Sequence, residues 1–298
     1  MSISDWLFGK NKKKPESEHL AIELKETDFA DARLYYALKH LVEDGPLTLE
    51  NLNRESTLEL GEKRIENLSG IEILSHLSNL DYLKLNENKI TDITPLAALT
   101  QVGDLALYEN KITDVSPLHN LTALYDIDLA DNQITDISAV ANLTNLIELD
   151  ISDNKVTDIW AVSNLHKLEE LVLSCNPIND FSALSGMKNL KTLRIDGMKI
   201  SDLSFLAGMT GLEDLDISNN NIKDISILSN LRNLKRVSLE DNAIADMGPV
   251  DHVSEVEGAG DGEQLIDPNV RTRYRDGSIM RTLVNRNGEM VFEEIVEN

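Results

Sequence analysis

The chain has 298 residues, 52 of them acidic and 28 basic, giving a formal net charge of −24 at pH 7. An acidic excess of that size argues against nucleic acid as a partner, because a phosphate backbone would be repelled, and makes a basic partner, such as a protein with a basic segment, or none, the natural inference. A single cysteine, Cys175, excludes an intrachain disulfide, the histidines show no metal-ligand spacing, and no run of about 18 apolar residues is available to span a membrane.

Residues 1–15 form a tail in which Ile3, Trp6, Leu7 and Phe8 precede Lys10, Lys12, Lys13 and Lys14. This order reverses the basic-then-apolar arrangement of a secretory signal, and the stretch is too short for one. The segment is expected to be a disordered basic, apolar-tipped tail, with a weak tether to an anionic membrane or to a partner through Trp6, Leu7 and Phe8 as the sharper reading. A cytoplasmic location is expected, ahead of membrane association and of the cell surface. Residues 16–57 read as a helical cap. Thr27 or Asp28 can start a helix whose apolar residues Leu34, Ala37, Leu38 and Leu41 share one face, and Asp44-Gly45-Pro46 ends it. A shorter helical piece, Thr48 to Leu52, follows.

Residues 58–256 are organised by a repeat. Asn88, Asn110, Asn132, Asn154 and Asn176 fall 22 apart, Met198 takes the next slot, and Asn220 and Asn242 resume the count. Around each Asn the pattern is L-x-L-x-x-N-x-I-T-D-I, as in Leu105, Leu107, Asn110, Ile112, Asp114 and Val115. The L-x-L piece alternates as a strand does, leucines inward, so stacked units would pair into a parallel sheet. The Asn sits where the chain turns off the sheet, and its amide can donate to and accept from backbone groups that would otherwise be buried unpaired. At Met198 those groups must find another partner, or the loop must change shape around the Met; a soft joint is the functional reading. The Asp column (Asp92, Asp114, Asp136, Asp158, Asp180, Asp202, Asp224 and Asp246) precedes a short apolar turn and is expected to cap the first N–H groups of a 3₁₀ segment. That makes it structural.

The same register predicts which side chains face outward from the sheet. One column holds Asp104, Asp126, Glu148, Glu170, Thr192, Asp214 and Arg236; the next holds Ala106, Asp128, Asp150, Val172, Arg194, Asp216 and Ser238. Carboxylates on neighbouring strands, about 4.8 Å apart, repel by about 1 kcal/mol per pair even in water, and a cationic segment laid across them would relieve this. The candidate partner-binding residues are therefore Asp104, Tyr108, Asp126, Asp128, Glu148, Asp150, Glu170, Arg194, Asp214 and Asp216, with the flank at Glu87, Glu109, Asp131 and Asp153 or the C-terminal meander as the alternative surface.

Residues 257–298 depart from the repeat. Gly258 to Gly262 is glycine-rich, but no apolar strand leads into it and its neighbours are acidic, so it reads as a linker and not a phosphate loop. Asp276-Gly277 and Asn287-Gly288 each sit between alternating segments, Val270–Arg275, Ser278–Val284 and Met290–Val296, which predicts a three-stranded meander that could dock as the C-terminal cap.

The repeating unit resembles the leucine-rich repeat in its 22-residue version. The run Ile65, Leu68, Gly70, Ile71 and Leu74, in a first repeat three residues longer than the rest, follows a helical cap and leads into Asn88-Lys89-Ile90-Thr91-Asp92-Ile93. In this the chain is similar, from about Phe29 to Val256, to the internalins, bacterial proteins with a helical cap fused to such repeats. The resemblance implies an α/β fold: a right-handed leucine-rich-repeat solenoid, or horseshoe, with a parallel concave sheet, a helical N-terminal cap and here a short C-terminal β meander. It implies a non-enzymatic protein-binding module without cofactor, whose concave face holds the partner. The absence of a signal peptide, of a wall-sorting signal and of room for an immunoglobulin-like domain shifts the expectation from a surface adhesin toward an intracellular scaffold. A regulatory subunit that targets or inhibits an enzyme, similar in logic to the eukaryotic phosphatase-regulating protein with the same unit, is the alternative from another class. Serines, histidines and acids form no nucleophile elbow, zinc set or P-loop, and the acidic rows lack EF-hand spacing, so no metal and no catalytic residue is assigned. Cys175, without a neighbouring lysine or histidine, reads as a spectator. The sequence leaves the oligomeric state open, with a monomer expected.

Overall fold

The alternation of each L-x-L unit forces a three-residue strand with its central apolar side chain turned inward, and that is what forms. The protein is represented by a computed structural model that describes residues 21–42, 45–258, 271–273, 279–284 and 290–295. The tail with Trp6, Leu7 and Phe8, the first residues of the cap, most of the Gly258–Gly262 linker and both predicted hairpin turns lie outside the described residues. Those described divide into two compact units, one up to Val156 and one from Thr157 onward.

In the first unit, strands β1 (Thr57–Glu59), β2 (Tyr82–Lys84), β3 (Asp104–Ala106), β4 (Asp126–Asp128) and β5 (Glu148–Asp150) pair in parallel and in register, Leu105 against Ile127 and Ile127 against Leu149. Their central residues Leu58, Leu83, Leu105, Ile127 and Leu149 are buried and form one wall of the core. The return segments are 3₁₀ turns such as Thr94–Ala98, Ser116–Asn120 and Ser138–Asn142. A 3₁₀ turn gains length per residue over an α-helix and so fits a short repeat.

The cap is helical, with its start corrected. The main helix, α1, runs Ala32–His40 and is capped by Asp31, not by Thr27 or Asp28. Glu26–Asp28 is instead a separate 3₁₀ turn, in which the Asp28 carboxylate accepts from the Lys25 N–H. The reason is tertiary. The Asp31 carboxylate accepts from Arg33 N at 2.9 Å and also from Glu66 N of the first repeat at 2.8 Å, so one side chain caps the helix and fastens it to the solenoid. Leu34, Ala37 and Leu38 are buried, while Leu41 is only half-buried. The second helix, α2 (Leu49–Leu52), forms where a short helical piece from Thr48 to Leu52 is expected, with Thr48 as its cap and not its first residue. At the junction Gly70 has φ 105°, and a Cβ there would stand 2.5 Å from Asp28 O, so the close approach of cap and first repeat requires glycine.

The second unit repeats the architecture. Strands β6 (Glu170–Val172), β7 (Thr192–Arg194), β8 (Asp214–Asp216), β9 (Arg236–Ser238) and β10 (Glu255–Glu257) are again parallel and in register. Near the C-terminus β11 (Arg271–Arg273), β12 (Ile279–Val284) and β13 (Met290–Ile295) form an antiparallel three-stranded sheet, the meander expected from the sequence.

The asparagine ladder works by joining consecutive repeats. Asn132 Nδ2 donates to Leu107 O of the preceding repeat (3.0 Å) and to Leu129 O of its own (3.1 Å), and its Oδ1 accepts from Ile112 N (2.9 Å). Asn88, Asn110 and Asn154 in the first unit, and Asn220 and Asn242 in the second, make the same set. The residue before each ladder position holds positive φ, from 48° at Asp131 to 68° at Gly197. The flank residues Glu87, Glu109, Asp131 and Asp153 occupy these slots, exposed at the turn. The aspartate column caps as predicted: Asp92, Asp114, Asp136 and Asp158 each accept the N–H two residues on, at 2.7–2.9 Å, and Asp180, Asp202, Asp224 and Asp246 do the same in the later repeats.

Candidate protein-binding surface

In the first unit, parallel register sets Asp104 beside Asp126 and Asp126 beside Glu148, and in the next column Ala106 beside Asp128 and Asp128 beside Asp150. Both columns are as the sequence predicts. Among the described residues, Asp104, Asp128 and Glu148 make no ion pair. Lys84, the lysine at the head of the second column, is directed elsewhere: it pairs with Glu59 at 3.0 Å and lies 5.1 Å from the centre of the Tyr82 ring. Burial pushes the Asp104 carboxyl up to about 6, with the charges of Asp81 and Glu148 adding to it and that of Lys84 opposing it more weakly. The Asp128 carboxyl is likewise pushed up to about 6, chiefly by burial; the Ala130 N–H it accepts opposes the rise, and Asp150 and Asp104 reinforce it. Acids that are partly desolvated and surrounded by acids hold their charge at a cost, and an incoming cation reduces that cost.

Tyrosines line these acids. Tyr108 is half-buried and its hydroxyl accepts from Asn86 Nδ2 at 2.8 Å. Tyr82 sits at the start of the Asp104 column, its phenol raised by burial and then by the Asp104 charge. Tyr125 reaches across Gly103 to donate its hydroxyl to Asp81 Oδ2 at 3.0 Å, two repeats away. A Cβ at Gly103 would lie 2.4 Å from the Tyr125 ring and 2.5 Å from Asp81 Oδ1, so the missing side chain is what admits the ring. Burial, followed by the bond to Asp81, pushes the Tyr125 phenol up to about 12. Tyr82, Tyr125 and Asp81 are absent from the sequence-derived set. The available signal was the column one residue before the strands, where Asp81, Gly103 and Tyr125 fall at 22-residue intervals.

In the second unit the remaining predicted residues stand in a different setting. Glu170 lies in register with Thr192 and that with Asp214, while Val172, Arg194 and Asp216 make the next column. Here cations interleave with acids. Lys191 pairs with Glu169 at 2.5 Å, Lys235 pairs with Glu213, and Arg236 holds Asp214 with Nε at 2.9 Å. Asp216 is occupied by its own turn, accepting from Ser218 N at 3.0 Å and Ser218 Oγ at 2.7 Å. A cavity of about 340 Å³ bordered by Arg194, Asp214, Asp216 and Arg236 is therefore of mixed charge.

Parallel three-residue strands, 3₁₀ returns and an asparagine ladder with a helical cap define a leucine-rich-repeat solenoid. The profile described as Leucine Rich repeats (2 copies) matches residues 104–142, 126–165, 144–186, 166–208 and 210–252. The crystal structure of an internalin, inlF, from Listeria monocytogenes is similar at 30% identity and a TM-score of 0.73, over 81% of this chain and 72% of that one. Internalin C2 (inlC2) of the same species is 34% identical with a TM-score of 0.66, over 72% of this chain and 95% of that one. A plant peptide hormone receptor, RGFR1, shares the fold at 19% identity and a TM-score of 0.56, over 70% of this chain and 36% of that one. No curated protein sequence gives a significant match. The chain belongs to the internalin family of leucine-rich-repeat proteins. Folds of this type generally serve protein–protein interaction and are typically non-enzymatic.

Proposed function

We propose that the chain is a protein-binding module whose principal site is the strand face of the first unit, where Asp104, Asp126, Asp128, Glu148 and Asp150, flanked by Tyr82 and Tyr108, take a basic segment of a partner. The observation that carries this reading is the absence, among the described residues, of ion pairs at Asp104, Asp128 and Glu148 on a face where burial has already raised two of the carboxyls. A fold arranged for stability alone would place lysine opposite these acids, since like charges directly opposite are unfavourable. Tyrosine faces next to carboxylates suit lysine and arginine, whose charge is drawn both to the ring and to the acid. Glu170, Arg194, Asp214 and Asp216 would add a second, mixed-charge contact.

The test compares the full chain with a variant carrying Asp126→Lys, Asp128→Lys, Glu148→Lys and Asp150→Lys. Partners captured from lysate on the wild type should be lost from the variant, and their affinity for the wild type should fall as salt rises, by about tenfold between low and physiological ionic strength. Equal capture and an equal salt slope for the two proteins would remove the site from this face.

A further inference from the structure

Where Met198 replaces the ladder asparagine, the second unit lacks two backbone bonds that join most other consecutive repeats. In the regular repeats a pair of bonds seals each turn to the one before: the ladder Oδ1 accepts from an isoleucine N–H, and the residue after the ladder position donates to the same isoleucine's C=O. Ile112 is held in this way by Asn132 Oδ1 (2.9 Å) and Gln133 N (2.9 Å), and Ile200 by Asn220 Oδ1 (2.9 Å) and Asn221 N (2.8 Å). At the equivalent position, neither the N–H nor the C=O of Ile178 has a hydrogen-bond partner among the described residues, and nor has the N–H of Lys199. Met198 turns its own N–H to Asn220 Oδ1 at 3.1 Å, and Lys199 takes φ 61°. The equivalent residue of the first repeat, Arg64, also has positive φ (58°), and there too the ladder position, Lys63, is not Asn. The change in loop shape therefore goes with loss of the asparagine.

An open cleft of about 490 Å³ lies along these two turns, with Met198 in its lining. Ile178 is buried on one wall and Ile200 on the other, and Phe181 and Phe205 stack at one end with ring centres 4.7 Å apart. Asp180 and Asp202 also line it, each held below the usual carboxylate range by the N–H of Ser182 or Ser204, against the single positive charge of Lys199.

We propose that this cleft binds an extended segment of a partner protein that carries a basic side chain between apolar ones. One residue of an extended chain presents its N–H and C=O on the same side, the arrangement needed to bond the C=O and N–H of Ile178 together, as strand addition does at a sheet edge. Apolar neighbours in the segment meet Phe181, Phe205 and Ile200. The basic side chain meets Asp180 and Asp202, whose charges outnumber that of Lys199. This site is separate from the strand face and does not depend on the reading given above.

The test uses the full chain, amide-resolved NMR and two capped probes, acetyl-Leu-Lys-Leu-amide and acetyl-Leu-Glu-Leu-amide. The lysine probe should shift the Ile178 and Lys199 amides at about 1 mM and slow their hydrogen exchange about tenfold, and the glutamate probe should bind more weakly. Met198→Asn, which supplies the missing amide, should protect the Ile178 N–H without ligand and abolish the lysine probe's effect, while its unfolding transition shows that the fold is retained. The proposal is overturned if the lysine probe causes no shift at that concentration, if both probes act equally, if Met198→Asn binds as the wild type does, or if the Ile178 and Lys199 amides of the free wild type already exchange as slowly as those of Ile200 and Asn221.

Discussion

The strand faces of the two units are built from the same repeat and finished differently. In the first unit Asp104, Asp126 and Glu148 stand in register, tyrosines flank them, and Lys84 is turned to Glu59. In the second, Arg236 holds Asp214 and Lys191 holds Glu169, so the acids are met where they stand. The interiors differ too: the ladder from Asn88 to Asn154 is continuous, whereas the second unit contains Met198. A repeat fixes its inward residues tightly, since each must bury against its neighbours, and leaves its outward ones free to diverge. Divergence outside therefore reports on binding, and a lapse inside reports on a local change of structure.

The contrast in the interior should give the largest effect. Asn132→Met, which copies the Met198 situation into the first unit, removes acceptance from Ile112 N and donation to Leu107 O and Leu129 O. It should cost about 3 kcal/mol in urea unfolding, against a gain of about 1 kcal/mol for Met198→Asn. A loss for Asn132→Met below about 1 kcal/mol would mean that the turn adapts wherever it is challenged, and the two units would no longer differ in this respect.

A smaller effect is expected at the unpaired acids. Asp104 and Asp128 have folded-state values of about 6 against an ordinary 3.8, so the folded protein binds more protons than the unfolded chain between those limits. Their contribution to stability therefore falls as pH rises from about 4 to about 6, and at neutral pH both are a burden. Asp104→Asn with Asp128→Asn should be more stable than the wild type at pH 7, by on the order of 1 kcal/mol per site once solvent screening is allowed for. The difference should disappear near pH 4. Binding of a basic partner to the wild type should weaken as pH falls through about 6, as the charges it seeks are protonated. A stability difference independent of pH would sever the link between this face and its charge.

The smallest change belongs to the compensated face. Arg236→Ala removes an exposed side chain that bonds Asp214 and lies 3.9 Å from Glu255. Its melting temperature should move by no more than about 1–2 °C, because exposed pairs are screened and lose side-chain entropy. A larger drop would show that the arginine secures the end of the sheet as well as offsetting charge.

Much of this was legible in the residues themselves. A 22-residue period leaves few ways to bury leucine on every turn, so strand positions, outward columns, the asparagine ladder and the aspartate caps all follow from spacing, and each is local or involves the adjacent repeat. The start of α1 was not legible: Thr27, Asp28 and Asp31 are all competent caps, and the choice falls to Asp31 because its carboxylate also meets Glu66 N in the first repeat. The Tyr125–Asp81 bond, which needs two strands brought alongside and a glycine between them, was likewise beyond a reading of one unit at a time. Met198 could be singled out from the sequence, but whether its repeat would close by another bond, or open into a cleft with Ile178 unsatisfied, depended on how the loop redistributes its backbone angles. What repeats follows from the residues alone, because burial of apolar side chains at a fixed period is a local demand. Which acids lack an ion pair among the described residues, and where the backbone bonds between repeats lapse, is settled by the fold, because both depend on side chains from different repeats reaching, or failing to reach, the same point.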